Sequence, residues 1–201
     1  MPKLRILDFD TECRPLNYLS QDFTNADVTA IAACFSDEPK SMRCWLLGRD
    51  TPRAMFAGFR AMYDAADIVT GHYVLMHDLG IINGAMIELG LPPLGEKLVS
   101  DTKVHLIKKG KTFSASQENL SEMFGVKVAK IHMNATRWRE ANRLSSRGLK
   151  LTEARAVGDV IQHMALRKEL ASSSLAPSAY VPVFIGTSVD KSAKLVLYFC
   201  P

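Results

Sequence analysis

An apolar run ending in acids on alternate residues, Ile6-Leu7-Asp8-Phe9-Asp10-Thr11-Glu12, constrains this chain more than any other stretch. Side chains on a strand alternate between its faces, so Asp8, Asp10 and Glu12 share one face and Leu7 and Phe9 the other. Three like charges on one side of a buried strand repel one another and lose hydration. A divalent cation held by carboxylate oxygens relieves both costs. The plainer reading of the same residues is a strand end meeting solvent, with its acids simply hydrated.

At 201 residues the chain suits one domain with a sizeable core. Its 47% apolar and 23% charged content is that of a soluble globular protein and excludes a disordered one. No apolar run approaches the roughly 20 residues that span a bilayer. Met1 to Arg5 lead into the first strand without a signal-peptide core, so no membrane partner and a cytoplasmic location are expected. Cys13, Cys34, Cys44 and Cys200 are scattered with no C-x-x-C pair, which argues against a zinc site or a disulfide framework. The net charge of +4 permits a polyanionic partner without demanding one.

Thr29 to Phe35 reads as a second strand, Asp37-Glu38-Pro39-Lys40 as a turn, and Met42 to Leu47 as a third strand, together an antiparallel meander. Thr51-Pro52 starts a helix to Ala66, with Met55, Phe56, Phe59 and Met62 on one face. Asp67 to Gly71 is a short buried strand, Leu75 to Leu89 a helix closed by Gly90, and Leu98-Val99 another strand. Lys108 to Lys111 reads as a basic turn, Ser116 to Gly125 as a small helix, and Trp138 to Leu144 as a short helix or exposed arm. A long helix runs from Thr152 to about Ala171, weakened at Gly158 by about 1 kcal/mol relative to Ala. The order implies an α/β sandwich, a mixed sheet with helices on its faces. Residues 1–171 form this domain, and 172–201 a tail whose segments 180–186 and 194–200 suggest a hairpin or an extension.

Two distant acids fit the first cluster. Asp78 follows a strand end, where it can also cap the helix after it. Asp159 sits in the long helix, where it can also pair with Arg155 one turn earlier.

At this point the residues resemble a known family. Asp10-Thr11-Glu12 with Pro15 resembles the D-x-E first motif of the DEDD 3′–5′ exonucleases of the ribonuclease H-like superfamily. Ala66 to Tyr73 with His77-Asp78 is similar to their second motif, and Gly158-Asp159-Val160 to their third. The similarity runs from about residue 4 to 170 and looks most like the proofreading exonucleases of phages and family B polymerases. It implies a ribonuclease H-like mixed β-sheet flanked by helices. It also implies two Mg²⁺ or Mn²⁺ ions, with Asp10 bridging both, Glu12 and Asp159 on the nucleophile side and Asp78 on the other. Asp8 shares their face and is a further acid behind the ligands, or a ligand itself if the register differs.

The chain departs from the pattern. The second-motif Asn is Tyr73 and its Phe is His77. Where the third motif has a Tyr four residues before its aspartate, or a His five before it, this chain has Arg155 and Ala154. His163, one turn after Asp159, is the candidate to orient the attacking water in their place, against the plainer reading of a packed helix histidine.

Phosphodiester hydrolysis needs an attacking hydroxide, a stabilised pentacoordinate centre and a leaving oxygen that accepts charge, and two divalent ions serve all three. Carboxylate oxygens suit Mg²⁺ and Mn²⁺. Lys108, Lys109, Lys111, Lys127 and Lys130 are candidates for a nucleic-acid groove or simply a solvated surface. Tyr73, Phe113 and Trp138 are candidates to stack on a terminal base. The expected activity is hydrolysis of single-stranded DNA or frayed 3′ ends, in association with a DNA polymerase or alone. One rival keeps the chemistry on RNA or short oligonucleotides; the other is a nucleic-acid-binding or polymerase-associated module without turnover.

Overall fold

The sheet begins with β1 (Ile6–Pro15), β2 (Ala26–Phe35) and β3 (Glu38–Leu46), paired antiparallel in sequence order. The computed structural model describes residues 4–16, 26–110, 113–128 and 130–173, together with the backbone of 181–183. The turn between β2 and β3 is Ser36-Asp37, shorter than the expected Asp37 to Lys40, and Glu38-Pro39-Lys40 already belong to β3. Pro39 is tolerated there because β3 lies at the edge of the sheet, where a missing N–H disrupts no ladder.

The helix α1 (Pro52–Ala65) starts at Thr51, whose hydroxyl accepts from the Ala54 N–H, and leads into β4 (Ile68–Gly71). β4 runs parallel to β1, and β5 (Lys97–Asp101) parallel to β4. Between them α2 (Asp78–Glu88) begins three residues later than the expected Leu75. The delay has a local cause. Tyr73 takes φ +80°, in the left-handed region, and Asp101 accepts the backbone N–H of both Tyr73 and Leu75, holding a turn instead of a helix.

The expected basic turn at Lys108–Lys111 is instead the end of a helix, α3 (Thr102–Lys109), and Lys111 lies outside the described residues. Asp101 caps α3 through the Val104 N–H. Then follow α4 (Gln117–Met123), α5 (Ala135–Asn142) and α6 (Ser146–Ser172). α6 starts six residues before the expected Thr152, because Ser145 caps it through the Gly148 N–H. A three-residue strand, β6 (Val181–Val183), pairs antiparallel with β5, so this part of the tail is an added edge. The segment 194–200 lies outside the described residues.

The sheet order is β3-β2-β1-β4-β5-β6. Leu7, Phe9, Ile31, Ala33 and Val69 face α1 and α2, which contribute Met55, Phe56, Phe59, Tyr63, Leu79 and Ile82 to the main core. The opposite face of β2 carries Ala30, Ala32 and Cys34, small enough for α6 to lie close with Ala156 and Val160. α6 and the acid-bearing face of β1 thereby meet across the sheet centre. Gly148 serves the same closeness at the other end, since a Cβ there would stand 2.2 Å from Glu140 O of α5. This is a mixed-sheet α/β fold of the ribonuclease H-like kind. Among the described residues Cys13, Cys34 and Cys44 are free thiols.

Candidate active site

β1 and β4 run parallel, so the carboxyl ends of both open at the same edge, where α2 arrives from one face and α6 from the other. Asp10 and Glu12 pair opposite Ala32 and Ala30 of β2, and those small neighbours leave room for the α6 side chains. Asp10, Glu12 and Asp159 meet there, each offering one carboxylate oxygen within 4.8 Å of the others. Asp78 enters from α2. It does not cap its own helix; its Oδ1 accepts from the Thr11 hydroxyl and from the Thr11 N–H at 3.0 Å. All four acids line one open cleft of about 320 Å³.

The plainer reading of Asp159, a pair with Arg155, is also present: Arg155 Nη2 stands 3.3 Å from Asp159 Oδ2. Arg155 reaches further and donates from Nε to Glu12 Oε1 at 2.8 Å. Lys130 Nζ stands 3.1 Å from Asp159 Oδ1. Lys130 was among the groove candidates, but its loop has no periodicity that would aim it at a carboxylate. Trp138, a candidate to stack on a base, has the Arg155 guanidinium 5.7 Å from its ring centroid.

Burial pushes the Asp10 carboxyl well above the usual range, and the charges of Asp78, Asp159 and Glu12 push it further, against Lys130. Burial raises Glu12 to about 7 although Arg155 pulls the other way. Asp159 is raised by burial against Lys130 and Arg155. The acids are therefore short of positive charge even with two protein cations beside them. The donor set is all carboxylate oxygen, which suits a hard cation, and Asp10, Glu12 and Asp159 could hold one.

His163 is placed elsewhere. Its Nδ1 meets Asp8 Oδ1 at 3.0 Å, it is buried, and it is not among the residues lining the cleft. Asp8 also accepts from Arg167 Nη2 at 2.9 Å and from the Ser36 hydroxyl. Asp8 thus shares the face of Asp10 and Glu12 but is engaged by α6 and is not part of the three-acid cluster. His72 lines the cleft with its ring bound by Thr102 Oγ1 and Ala115 O, and burial depresses it to about 4, which keeps it neutral.

Tyr73 and Lys103 form one wall, with Nζ 3.9 Å from the ring centroid. Tyr73 stands where the exonuclease motif that the sequence resembles has Asn, the side chain that most readily accepts positive φ. Lys103 carries no sequence signal of its own, because only the Lys108 end of α3 was legible and residues 103–107 were given no element. A second hollow of about 360 Å³ shares Lys103 and Ser116 with the cleft and adds Ile107 and Phe113. Lys108 and Lys127 are exposed.

No protein-family model matches the sequence, and no curated protein does. Among solved structures, a family B DNA polymerase from the hyperthermophilic archaeon Pyrobaculum calidifontis is similar, at TM-score 0.65 and 18% identity over 85% of this chain. The chain spans only 25% of that polymerase. At this identity the likeness establishes the fold. No described helix is long and apolar enough to cross a membrane.

Proposed function

We propose that the chain is a divalent-metal-dependent 3′–5′ exonuclease that hydrolyses phosphodiester bonds of single-stranded DNA or a frayed 3′ end. The observation that carries this reading is the meeting of Asp10, Glu12 and Asp159 within 4.8 Å in a cleft that Asp78 also lines. The 3′ polarity and the choice of DNA draw on the motif resemblance. The similar structure is that of a DNA polymerase, which is in keeping with DNA as the substrate and with a polymerase as a partner.

Asp10, Glu12 and Asp159 would hold the ion, and Asp78, fixed by Thr11, lines the same cleft. Mg²⁺ or Mn²⁺ bound there supplies an acidified water and takes up charge on the phosphate oxygens. Lys103 and Lys130 add positive charge for the incoming phosphate. Tyr73 offers an aromatic surface beside the acids, and Phe113 one in the adjoining hollow, for unstacked bases. His163 holds α6 on β1 through Asp8, which keeps Asp159 opposite Asp10, and this positioning role replaces the water-orienting one expected from sequence.

Linear and circular single-stranded DNA, each incubated with Mn²⁺, test the reading. The linear strand should be reduced to mononucleotides and the circle left intact; a linearised circle would make the chain an endonuclease. One observation favours the binding-module reading: Arg155, at the position of the family's Tyr, is paired to both Glu12 and Asp159. That reading requires oligonucleotide binding with neither substrate cut. Labelled RNA of the same sequence in a parallel lane ranks the rival substrate.

A further inference from the structure

Two of the four cleft carboxylates already face positive side chains of the protein. Arg155 is fixed from four directions: it donates to Glu12 Oε1 at 2.8 Å and to Ile131 O at 3.1 Å, it lies 3.3 Å from Asp159 Oδ2, and it sits over the Trp138 ring. Lys130 brings a second cation to the other oxygen of Asp159, at 3.1 Å. Both side chains are only 18% exposed. They approach Glu12 and Asp159, the two acids expected to share an ion on the nucleophile side.

The charge balance is simple. With the four carboxylates ionised, as metal binding requires, Arg155 and Lys130 offset two of the four negative charges and one divalent ion offsets the other two. Lys103 also lines the cleft but stands over the Tyr73 ring, and His77 adds a charge beside Asp78 only when protonated. A second ion beside Asp159 would meet Lys130 at short range and a guanidinium that four partners prevent from leaving.

We propose that Arg155 and Lys130 stand in for one of the family's two divalent ions, so that the cleft takes up a single Mg²⁺ or Mn²⁺. This rests on the metal-site reading above and goes beyond it in the number of ions. Arg155 is then a permanent part of the site's charge, and Lys130 the component whose loss admits the second ion.

Calorimetric titration of the full chain with Mn²⁺ reads both number and affinity without reference to turnover. Wild type and Lys130→Arg should bind one ion. Lys130→Met should bind two, or bind its first ion about tenfold more tightly. Lys130 lies on a loop outside the apolar cores, and Lys130→Gln replaces Lys130→Met if circular dichroism shows the latter unfolded. Two ions on wild type, or a Lys130→Met titration that overlays wild type, would overturn the proposal and leave the nuclease reading standing. No Mn²⁺ uptake by wild type would overturn both.

Discussion

His163 Nδ1 lies 3.0 Å from Asp8 Oδ1, joining the middle of α6 to the first strand across 155 positions of the chain. A carboxylate only accepts, so the histidine donates from Nδ1, leaving Nε2 buried without a partner. Arg167 and Ser36 complete the hold on Asp8.

Removing Asp8 should therefore destabilise the fold more than any substitution in the cleft. Asp8→Ala leaves Arg167 and His163 facing a void, at a cost of about 3–5 kcal/mol in urea unfolding. Burial alone would raise the Asp8 carboxyl, but His163, Arg167 and Ser36 hold it below its usual value. A depressed carboxyl stabilises above its unfolded pKa, and the contribution is lost as pH falls through the folded value. Wild-type urea midpoints should thus fall steeply on the acid side, and those of Asp8→Asn should fall less.

The opposite is expected of Asp10. It is pushed upward by burial and by Asp78, Asp159 and Glu12, so Asp10→Asn relieves repulsion. The metal-free variant should be more stable than wild type. Its cleavage should fall by more than the 10–100-fold typical of losing a group behind a ligand. Thermal melts in EDTA and a turnover assay check the two halves.

Glu12 titrates near 7, raised from 4.5 by burial against Arg155. The folded protein holds this proton between the two values and the unfolded chain does not, so metal-free stability falls as pH rises through that window. A bound ion replaces the proton. Mn²⁺ should accordingly raise Tm more at pH 8 than at pH 5.5, and in Glu12→Gln this difference should shrink.

Two glycines of α6 should answer alanine in opposite directions. At Gly158 a Cβ meets nothing within 4 Å, so Gly158→Ala should stabilise by about 0.5–1 kcal/mol. At Gly148 it would press on the α5 backbone, and Gly148→Ala should destabilise. Urea midpoints of the two variants decide it.

The alternating acids of β1 were legible because strand side chains alternate strictly, whatever the neighbours. Asp78 and Asp159 were legible through their motifs, at a strand exit and in a long helix. Lys130, Arg155 and Asp8 acquire their partners only when α6 crosses the sheet, a long-range event that no local period encodes. α3 carried a readable start in Asp101, whose N-cap role the lysine-rich end obscured. The late start of α2 depends on that same Asp101 holding Tyr73 from another strand.

The central claim is tested most directly by digesting a 5′-labelled single-stranded DNA oligonucleotide with wild type and Asp78→Ala, in Mn²⁺ and in EDTA. Wild type in Mn²⁺ should give a ladder shortening from the 3′ end, with none in EDTA or with the variant. An oligonucleotide bound but uncut by wild type in Mn²⁺ would contradict it.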